Sequence, residues 1–504
     1  MVIEKSLPYG AAIRLKFSMG IIYVSRIINI VVDFIFALIV TRKLTIREMS
    51  WWTILSNYLV YIGVFSTIYT FWASRAISRG WNVSKVVLRL GALIGGVLAV
   101  LSVPFMIFLS GEFGVYADLI LLVSLVVLAD YVIKSLFSIS QGYAPQHIGI
   151  YNVVFAVART GLAYFMIVML RYGITGALAA LLLSKVVVAL VLFLLNKSLI
   201  TGAIYDQAIA LKWIKYSWYP LNLYLLDAIS YFDVLIVGII TYNELLIAYF
   251  GVIRLLVPVI ASIAEAIPSI YAKVLAMRDP RIIEEGIWFL LLMATPAIAV
   301  LLGIPEPIIA VLGTKYLPMS SYIWPFVIAT GLNVFYVTLR NSMLAWESSD
   351  ENIYEGIRFA KTIFFDLLII DIIQVSSYLA LLAVTVTLLT DTYVILLWWG
   401  VLMLTRYILS TMLAIAFSRR RFGLYLISSR SLVDIAKFSL VGLIVCIAGR
   451  FMEVEISEKI YEMLRLLIPP AAILLILYIC FALIIDRKTR NLARTILSYA
   501  KRHF

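Results

Sequence analysis

The stretch MGIIYVSRIINIVVDFIFALIV, residues 19–40, decides the fold. About 20 apolar residues in a helix span the ~30 Å hydrocarbon core of a bilayer, and this run has that length. No small-residue cleavage pattern follows it, so it reads as a retained span and not as a removed signal. It nevertheless carries Arg26 and Asp33. Steps of three, four and seven residues return to nearly one helix face, so Tyr23, Arg26, Asn29 and Asp33 form a single polar stripe. Arg26 and Asp33 stand about 10 Å apart along the axis at about 1.5 Å per residue, too far to pair unaided. A charge at the bilayer centre costs at least about 2.5–3.5 kcal/mol. The stripe therefore cannot face lipid; it faces protein or a hydrated cavity.

The rest of the chain repeats this pattern. Of its 504 residues, 63% are hydrophobic, and the mean hydropathy is +1.04. That excludes a soluble globule, whose surface has to be largely polar. Apolar helical runs recur at about 19–40, 53–72, 90–109, 119–140, 148–170, 174–195, 218–240, 245–267, 286–304, 321–344, 363–386, 392–417, 436–451 and 466–485. The expected fold is an all-α integral membrane protein of about 14 transmembrane helices, with no intervening stretch long enough for a soluble domain.

Charge orients the spans. With the N-terminus inside, 26 of the 41 Lys and Arg residues fall on inner segments, 8 on outer loops and 7 within spans. Cytoplasmic loops are enriched in basic residues, so both termini are expected in the cytoplasm of a multi-pass cell-membrane protein. The RRR run at 419–421 and the tail with Arg487, Lys488, Arg490, Arg494, Lys501 and Arg502 dominate the count. The same clusters suit anionic lipid. The net charge of +13 needs no nucleic acid to account for it. The first outer loop, with Arg42, Lys43 and Arg47, runs against the rule and has no topological account.

An internal repeat is visible at an offset of 200: DFIFALIVT at 33–41 and DVLIVGIIT at 233–241, each followed by a short polar turn with a glutamate, Glu48 or Glu244. Two halves of six spans each would enter the membrane in the same sense. The transport site is then expected at their interface, with spans thirteen and fourteen outside the twofold core. The expected divisions are 1–200 for the first six spans, 201–420 for the next six, and 421–504 for the extra pair and basic tail.

Ionisable residues inside spans are the functional candidates. The basic ones are Arg26, Lys134, Arg159, Lys185, Arg254, Arg340 and Arg406; the acidic ones are Asp33, Asp130, Asp227, Asp233, Glu265, Asp366 and Asp371. Asp130 and Lys134 are spaced i, i+4 and read as a structural pair. Arg340, Glu265 and Asp366 fall near predicted span ends and can snorkel. Arg26, Arg159, Arg254 and Arg406, with Tyr23 and Asn29, are candidates for binding an anionic substrate, because a guanidinium grips phosphate with a fork of donors. Asp33, Asp227 and Asp233 are candidates for proton or Na+ coupling, since a carboxylate in a low-dielectric site tends to bind a proton. For each of these the alternative is a buried interhelical pair. Pro258, Pro268 and Pro296 mark places where helices can bend.

No phosphate-loop or dinucleotide signature occurs, and the only histidines are His147 and His503. Nucleotide hydrolysis, a metal centre and a bound cofactor are not expected, and Cys446 and Cys480 read as small apolar side chains.

The stretches TRKLTIREMSWWTIL (41–55), FWASRAISRG (71–80) and YFDVLIVGIITYNELLIAYFGVIRLL (231–256) resemble the multidrug/oligosaccharidyl-lipid/polysaccharide (MOP) exporter superfamily, in its polysaccharide-transporter branch. The resemblance covers roughly residues 10–420 and rests on loose patterns. It implies two six-helix lobes in a V around a hydrated cavity, with alternating access. The implied function is a flippase that moves a polyprenyl-(pyro)phosphate-linked oligosaccharide from the inner to the outer leaflet. The alternative is a cation- or proton-coupled multidrug antiporter of the same superfamily. A membrane glycosyltransferase is disfavoured by the short outer loops, so no enzyme is expected. The partners implied are a lipid-linked oligosaccharide, membrane lipids and H+ or Na+, with no nucleic acid. Arg26 matches the first-span arginines of the fourteen-span peptidoglycan-precursor flippases in position only. The extra pair of spans in those flippases forms a lipid-tail groove.

Overall fold

Two residues separate the first two helices, and the second is capped by its own sequence. The computed structural model describes residues 15–113, 117–144, 146–261, 279–346, 363–422 and 427–503. α1 (Leu15–Lys43) ends at the break Leu44–Thr45, and α2 (Ile46–Gly63) begins after it. The Thr45 backbone N–H donates to Glu48 Oε2 (2.8 Å), and the Glu48 N–H donates to Thr45 Oγ1 (3.2 Å). This capping box satisfies two of the donors that a helix start leaves open. Glu48 Oε1 also accepts from the Ile174 N–H (3.1 Å) at a second helix start, where Gly173 has φ 52°.

The stretches at 33–41 and 233–241 end in similar local geometry. Thr41 Oγ1 donates to Ala37 O (2.8 Å), and Thr241 Oγ1 donates to Val237 O (2.7 Å). Each helix then stops, and the next is capped by a side chain: Thr45 in one case, and in the other Asn243, whose Oδ1 accepts from the Leu246 N–H (3.1 Å).

The second span continues through a 3-10 turn into α3 (Thr67–Ser78). α4 (Ser84–Phe113), α5 (Ala117–Tyr143), α6 (Gln146–Ala163) and α7 (Gly173–Leu195) complete the first six. α8 (Lys197–Thr201) and α9 (Gln207–Lys215) are connectors. Span seven is broken at Tyr231–Phe232 into α10 (Trp218–Ser230) and α11 (Asp233–Thr241). α12 (Glu244–Leu256) stops before Pro258, which opens α13 (Pro258–Ala261) as the residue before a proline disfavours helix. α14 (Pro280–Gly303) passes through Pro296 without ending. α15 (Pro305–Leu312), α16 (Trp324–Trp346), α17 (Ile363–Leu388), α18 (Thr392–Phe422), α19 (Ser429–Arg450), α20 (Ile460–Ile485) and α21 (Arg487–His503) complete the described helices. No strand occurs among the described residues.

Among the described residues, twelve helices are long and apolar enough to cross a membrane. A thirteenth arises if the 3-10 segment Thr314–Tyr322 and the following helix, bent by 68°, form one span. α1, at 29 residues, contains the first predicted span. The expectation of about fourteen is therefore approximate. Glu265 and Pro268, and the side chains of Tyr23, Arg26 and Asp227, lie outside the described residues.

The chain divides into two compact units, 1–251 and 252–504. In the first, α4 packs on α5, α1 on α6, and α7 on both α5 and α6. α10 lies against α3, and α11 against α2. In the second unit, α16 packs on α18 and α14 on α19. There Leu292, Phe438, Val441, Leu474 and Tyr478 form an apolar cluster that binds spans thirteen and fourteen to span nine. The cationic loop after the first span acquires a partner in the first unit, where Arg47 Nε lies 3.3 Å from Glu244 Oε1.

Candidate functional site

The described part of the α1 stripe, Asn29 and Asp33, faces α6. Asn29 is buried, and with its amide nitrogen turned to donate it reaches Ser25 O (3.3 Å) and Asn152 O (3.1 Å). Arg159 Nη2 donates to Asp33 Oδ1 at 2.5 Å, and Thr160 Oγ1 donates to Val32 O at 3.2 Å. The Arg159 guanidinium also lies 4.2 Å from the Phe36 ring centroid and 5.1 Å from that of Phe155. Two candidates assigned different roles, Arg159 for substrate and Asp33 for coupling, are thus one ion pair. The Asp33 side chain remains 53% exposed.

The repeat-related aspartate has a different setting. Asp233 is buried at the first turn of α11, and its carboxylate accepts from the Val234 N–H at 2.7 Å. Asp33, by contrast, is in mid-helix. The broken span seven provides Asp233 with a helix start that the continuous α1 does not offer Asp33.

Asp130 of α5 has two cationic partners. Lys134 Nζ lies 2.8 Å from Asp130 Oδ2, and Lys185 of α7 contacts Oδ1. Lys134 also donates to Gly63 O at 3.1 Å. The trio of ionised groups carries one net positive charge, and its Lys134 lines a cavity.

That cavity, of about 480 Å³, lies in the first unit among α3, α5 and α10. Hydroxyls of Ser66, Thr67, Thr70, Ser74 and Ser138 line it, with the Gln141 amide. Its two cations are Lys134 and Arg75, and Phe71, Phe137 and Tyr224 supply aromatic surface. The Arg75 guanidinium stands 3.7 Å over the Phe71 ring and has no carboxylate partner among the described residues. Among the described residues, no acidic side chain lines the cavity. A concave wall of hydroxyls and aromatic faces with two cations, of which Arg75 has no carboxylate partner among the described residues, suits a hydroxylated anion.

The remaining candidates are in the second unit. Arg406 is buried, donates through Nε to Gln374 Oε1 (3.3 Å), and faces the Tyr378 and Tyr407 rings. Gln374 in turn donates to Asp371 Oδ1 (2.7 Å), which also accepts from Tyr336 OH (2.9 Å), and Arg340 Nη2 meets Asp371 Oδ2 at 3.1 Å. This network joins α16, α17 and α18 and is mostly buried. Arg254 is half-buried near the end of α12. Of the nine sequence-predicted site residues, the six whose side chains are described (Asn29, Asp33, Arg159, Asp233, Arg254 and Arg406) do not line the cavity.

No protein-family model matches the sequence, and no curated relative is similar to it in sequence. Solved structures are similar in fold. One described as "Lipid II flippase MurJ, inward closed conformation" is 14% identical, with a TM-score of 0.65 over 94% of this chain and 99% of that one. The chain has the MOP-superfamily fold. An inward-facing multidrug resistance MATE family transporter of that superfamily is 16% identical, with a TM-score of 0.61 over 78% of this chain and 96% of that one. A MATE protein in complex with MaD5 is 13% identical, with a TM-score of 0.55 over 83% of this chain and 100% of that one.

Within this MOP fold, sequence reasoning missed Arg75 and set Lys134 aside as structural. Arg75 is at the end of the second span, where a cation is ordinary. Its one distinguishing signal is the hydroxyl-rich face of the same helix, since Thr67, Thr70 and Ser74 recur at steps of three and four.

Proposed function

We propose that this MOP-fold membrane protein is a flippase for a polyprenyl-(pyro)phosphate-linked oligosaccharide, moving it from the inner to the outer leaflet by alternating access. The observation that carries this reading is the cavity on α3, α5 and α10, walled by hydroxyls, aromatic rings and the cations Arg75 and Lys134, with no carboxylate on its surface among the described residues. Arg75 offers the fork of donors that matches phosphate oxygens. Lys134 adds a point charge that Asp130, already satisfied by Lys185, can release. Serine and threonine hydroxyls suit sugar hydroxyls, and Phe71, Phe137 and Tyr224 offer flat apolar faces. The half-exposed Asp33, in its pair with Arg159, remains the candidate for coupling to H+ or Na+, together with Asp233 and Asp227. Tyr23, Arg26, Asn29, Arg254 and Arg406 remain candidates for contacting the substrate in a conformation with a different opening. The bilayer retains the lipid tail.

The test is translocation in proteoliposomes, with a lipid-diphosphate oligosaccharide carrying a fluorophore on the sugar. Purified protein should expose the fluorophore to a quencher on the far side. Arg75→Ala and Lys134→Ala should each weaken substrate binding by roughly ten- to hundred-fold, the size of a lost charged hydrogen bond of about 1.5–3 kcal/mol. Absence of far-side fluorophore with the unaltered protein would sink the reading.

The MATE neighbours favour a second reading, a cation- or proton-coupled multidrug antiporter. An organic cation is repelled by a cavity whose charged lining groups, among the described residues, are all basic. Efflux of such a cation that survives Arg75→Ala/Lys134→Ala would favour the antiporter over the flippase.

A further inference from the structure

The last described helix, α21, starts one residue after the last membrane helix ends. α20 closes at Ile485, Asp486 takes an extended conformation (φ −111°, ψ 119°), and Arg487 opens α21. The joint between them is pinned. Asp486 Oδ2 accepts from the Thr489 N–H and Oγ1, each at 2.8 Å, and from Trp288 Nε1 at 2.9 Å. Lys488 Nζ donates to Asp434 Oδ2 at 2.9 Å, and Lys437 lies between the two carboxylates, 3.8 Å from Asp434 and 3.7 Å from Asp486. Both carboxylates are buried, as is Thr489, and Leu492 packs against the apolar cluster of α14, α19 and α20.

That attachment fixes which face of α21 is left over. Arg487, Arg490 and Arg494 follow at steps of three and four, so they share the face opposite Leu492, and all three are exposed. They make no ion pair among the described residues. Residues 487–503 carry six Lys and Arg and no acid. Because each span reverses the chain, the end of α18 and the start of α19 lie on the same side of the membrane as the end of α20. They add the exposed Arg419, Arg420 and Arg430 there.

We propose that this arginine face of α21 is a docking surface for anionic lipid headgroups, oriented by the Asp434–Asp486 joint. Depth selects this partner over other polyanions. Arg487, Arg490 and Arg494 begin within about 14 Å of chain from the last apolar residue at about 1.5 Å per residue, which is headgroup distance. Each basic residue near an anionic surface strengthens the contact by about five-fold.

The experiment uses the full-length protein in nanodiscs of phosphatidylcholine, with or without phosphatidylglycerol, and follows amide hydrogen exchange over 487–503. The expected result is slower exchange in the anionic discs, by about five-fold or more. High salt should abolish the difference, and so should Arg490→Gln/Arg494→Gln, with exchange in α14 and α19 unchanged. Lys488 is left intact because it belongs to the joint. Equal exchange in the two disc types would overturn the proposal, as would slowing that persists in the double variant. Slowing produced by soluble heparin over phosphatidylcholine discs, but not by phosphatidylglycerol, would assign the face to a soluble polyanion and overturn it equally.

Discussion

Asp130 sits between two ammonium groups, and removing it is the most damaging single change we expect in the first unit. With Asp130→Asn, Lys134 and Lys185 would face each other across a low-dielectric interior with no counter-charge. Breaking a buried ionic cluster in this way costs about 3–5 kcal/mol. Lys134→Met alone leaves the Asp130–Lys185 pair intact and should cost far less. The triple variant, Asp130→Asn/Lys134→Met/Lys185→Met, should recover most of the thermal stability lost by Asp130→Asn; a triple variant as unstable as the single one would show that the ions are not the cause. Residue by residue, the sequence declared the charges but few of the partnerships. The Asp130–Lys134 pair was legible because four residues is one helical turn. Lys185 was not, because it is 55 positions away. Asp33 and Arg159 were each flagged as anomalous in a span, but 126 positions separate them. Composition shows that a buried charge needs a partner; only the helix packing says which one.

Helices were legible because a bilayer imposes length and apolarity together, and thirteen of the fourteen apolar runs fall on described helices, the run at 245–267 doing so as far as residue 261. Their interruptions were harder to read. The break at Tyr231–Phe232 has neither proline nor glycine to announce it, so an apolar window runs straight across. Packing between helices is marked by glycine where backbones touch. A Cβ on Gly449 would stand 2.8 Å from Gly303 Cα, so α14 and α19 meet backbone to backbone. Gly449→Ala should push them apart and cost about 1–3 kcal/mol in thermal stability, as overpacking does; an unchanged melt would show that the contact is loose. The α20–α21 joint offers a pH test. Burial pushes the Asp486 carboxyl up, yet the Thr489 N–H and hydroxyl, Trp288 and Lys437 together hold it below its usual value. A depressed carboxyl adds stability above its unfolded value, ~3.9, and loses it only as pH falls through the folded value. The stability gap between the protein and its Asp486→Asn variant should therefore stay constant from neutral pH down to about 4 and shrink below that. A gap that closed in the pH range where histidine titrates would point to a different group.

At the scale of the whole molecule, the sequence repeat and the compact units divide the chain at different places. The repeat turns over near residue 200, whereas the first unit runs to Gly251 and takes α10, α11 and most of α12 with it. Physically, the opening spans of the second repeat remain bound to the second span of the first. Arg47 pairs with Glu244, the Tyr61 hydroxyl donates to Tyr231 O, and Gly251 lets α12 close against Thr53 and Met49 of α2. If transport requires the two repeats to part, this seam has to open on one side of the membrane during the cycle. A covalent lock tests that directly. A Cβ on Gly251 would lie 3.1 Å from Thr53 Cβ, close to the ~3.8 Å that a disulfide prefers, so a small shift suffices. With Cys446 and Cys480 replaced by serine, Thr53→Cys/Gly251→Cys should crosslink on oxidation. The oxidised protein should then translocate no lipid-linked sugar, and reductant should restore the rate to that of the single-cysteine controls. Gly251→Cys alone controls for the crowding that its new side chain brings. Undiminished translocation by the fully crosslinked protein would show that α2 and α12 move together throughout, and the opening would then have to be sought away from this seam.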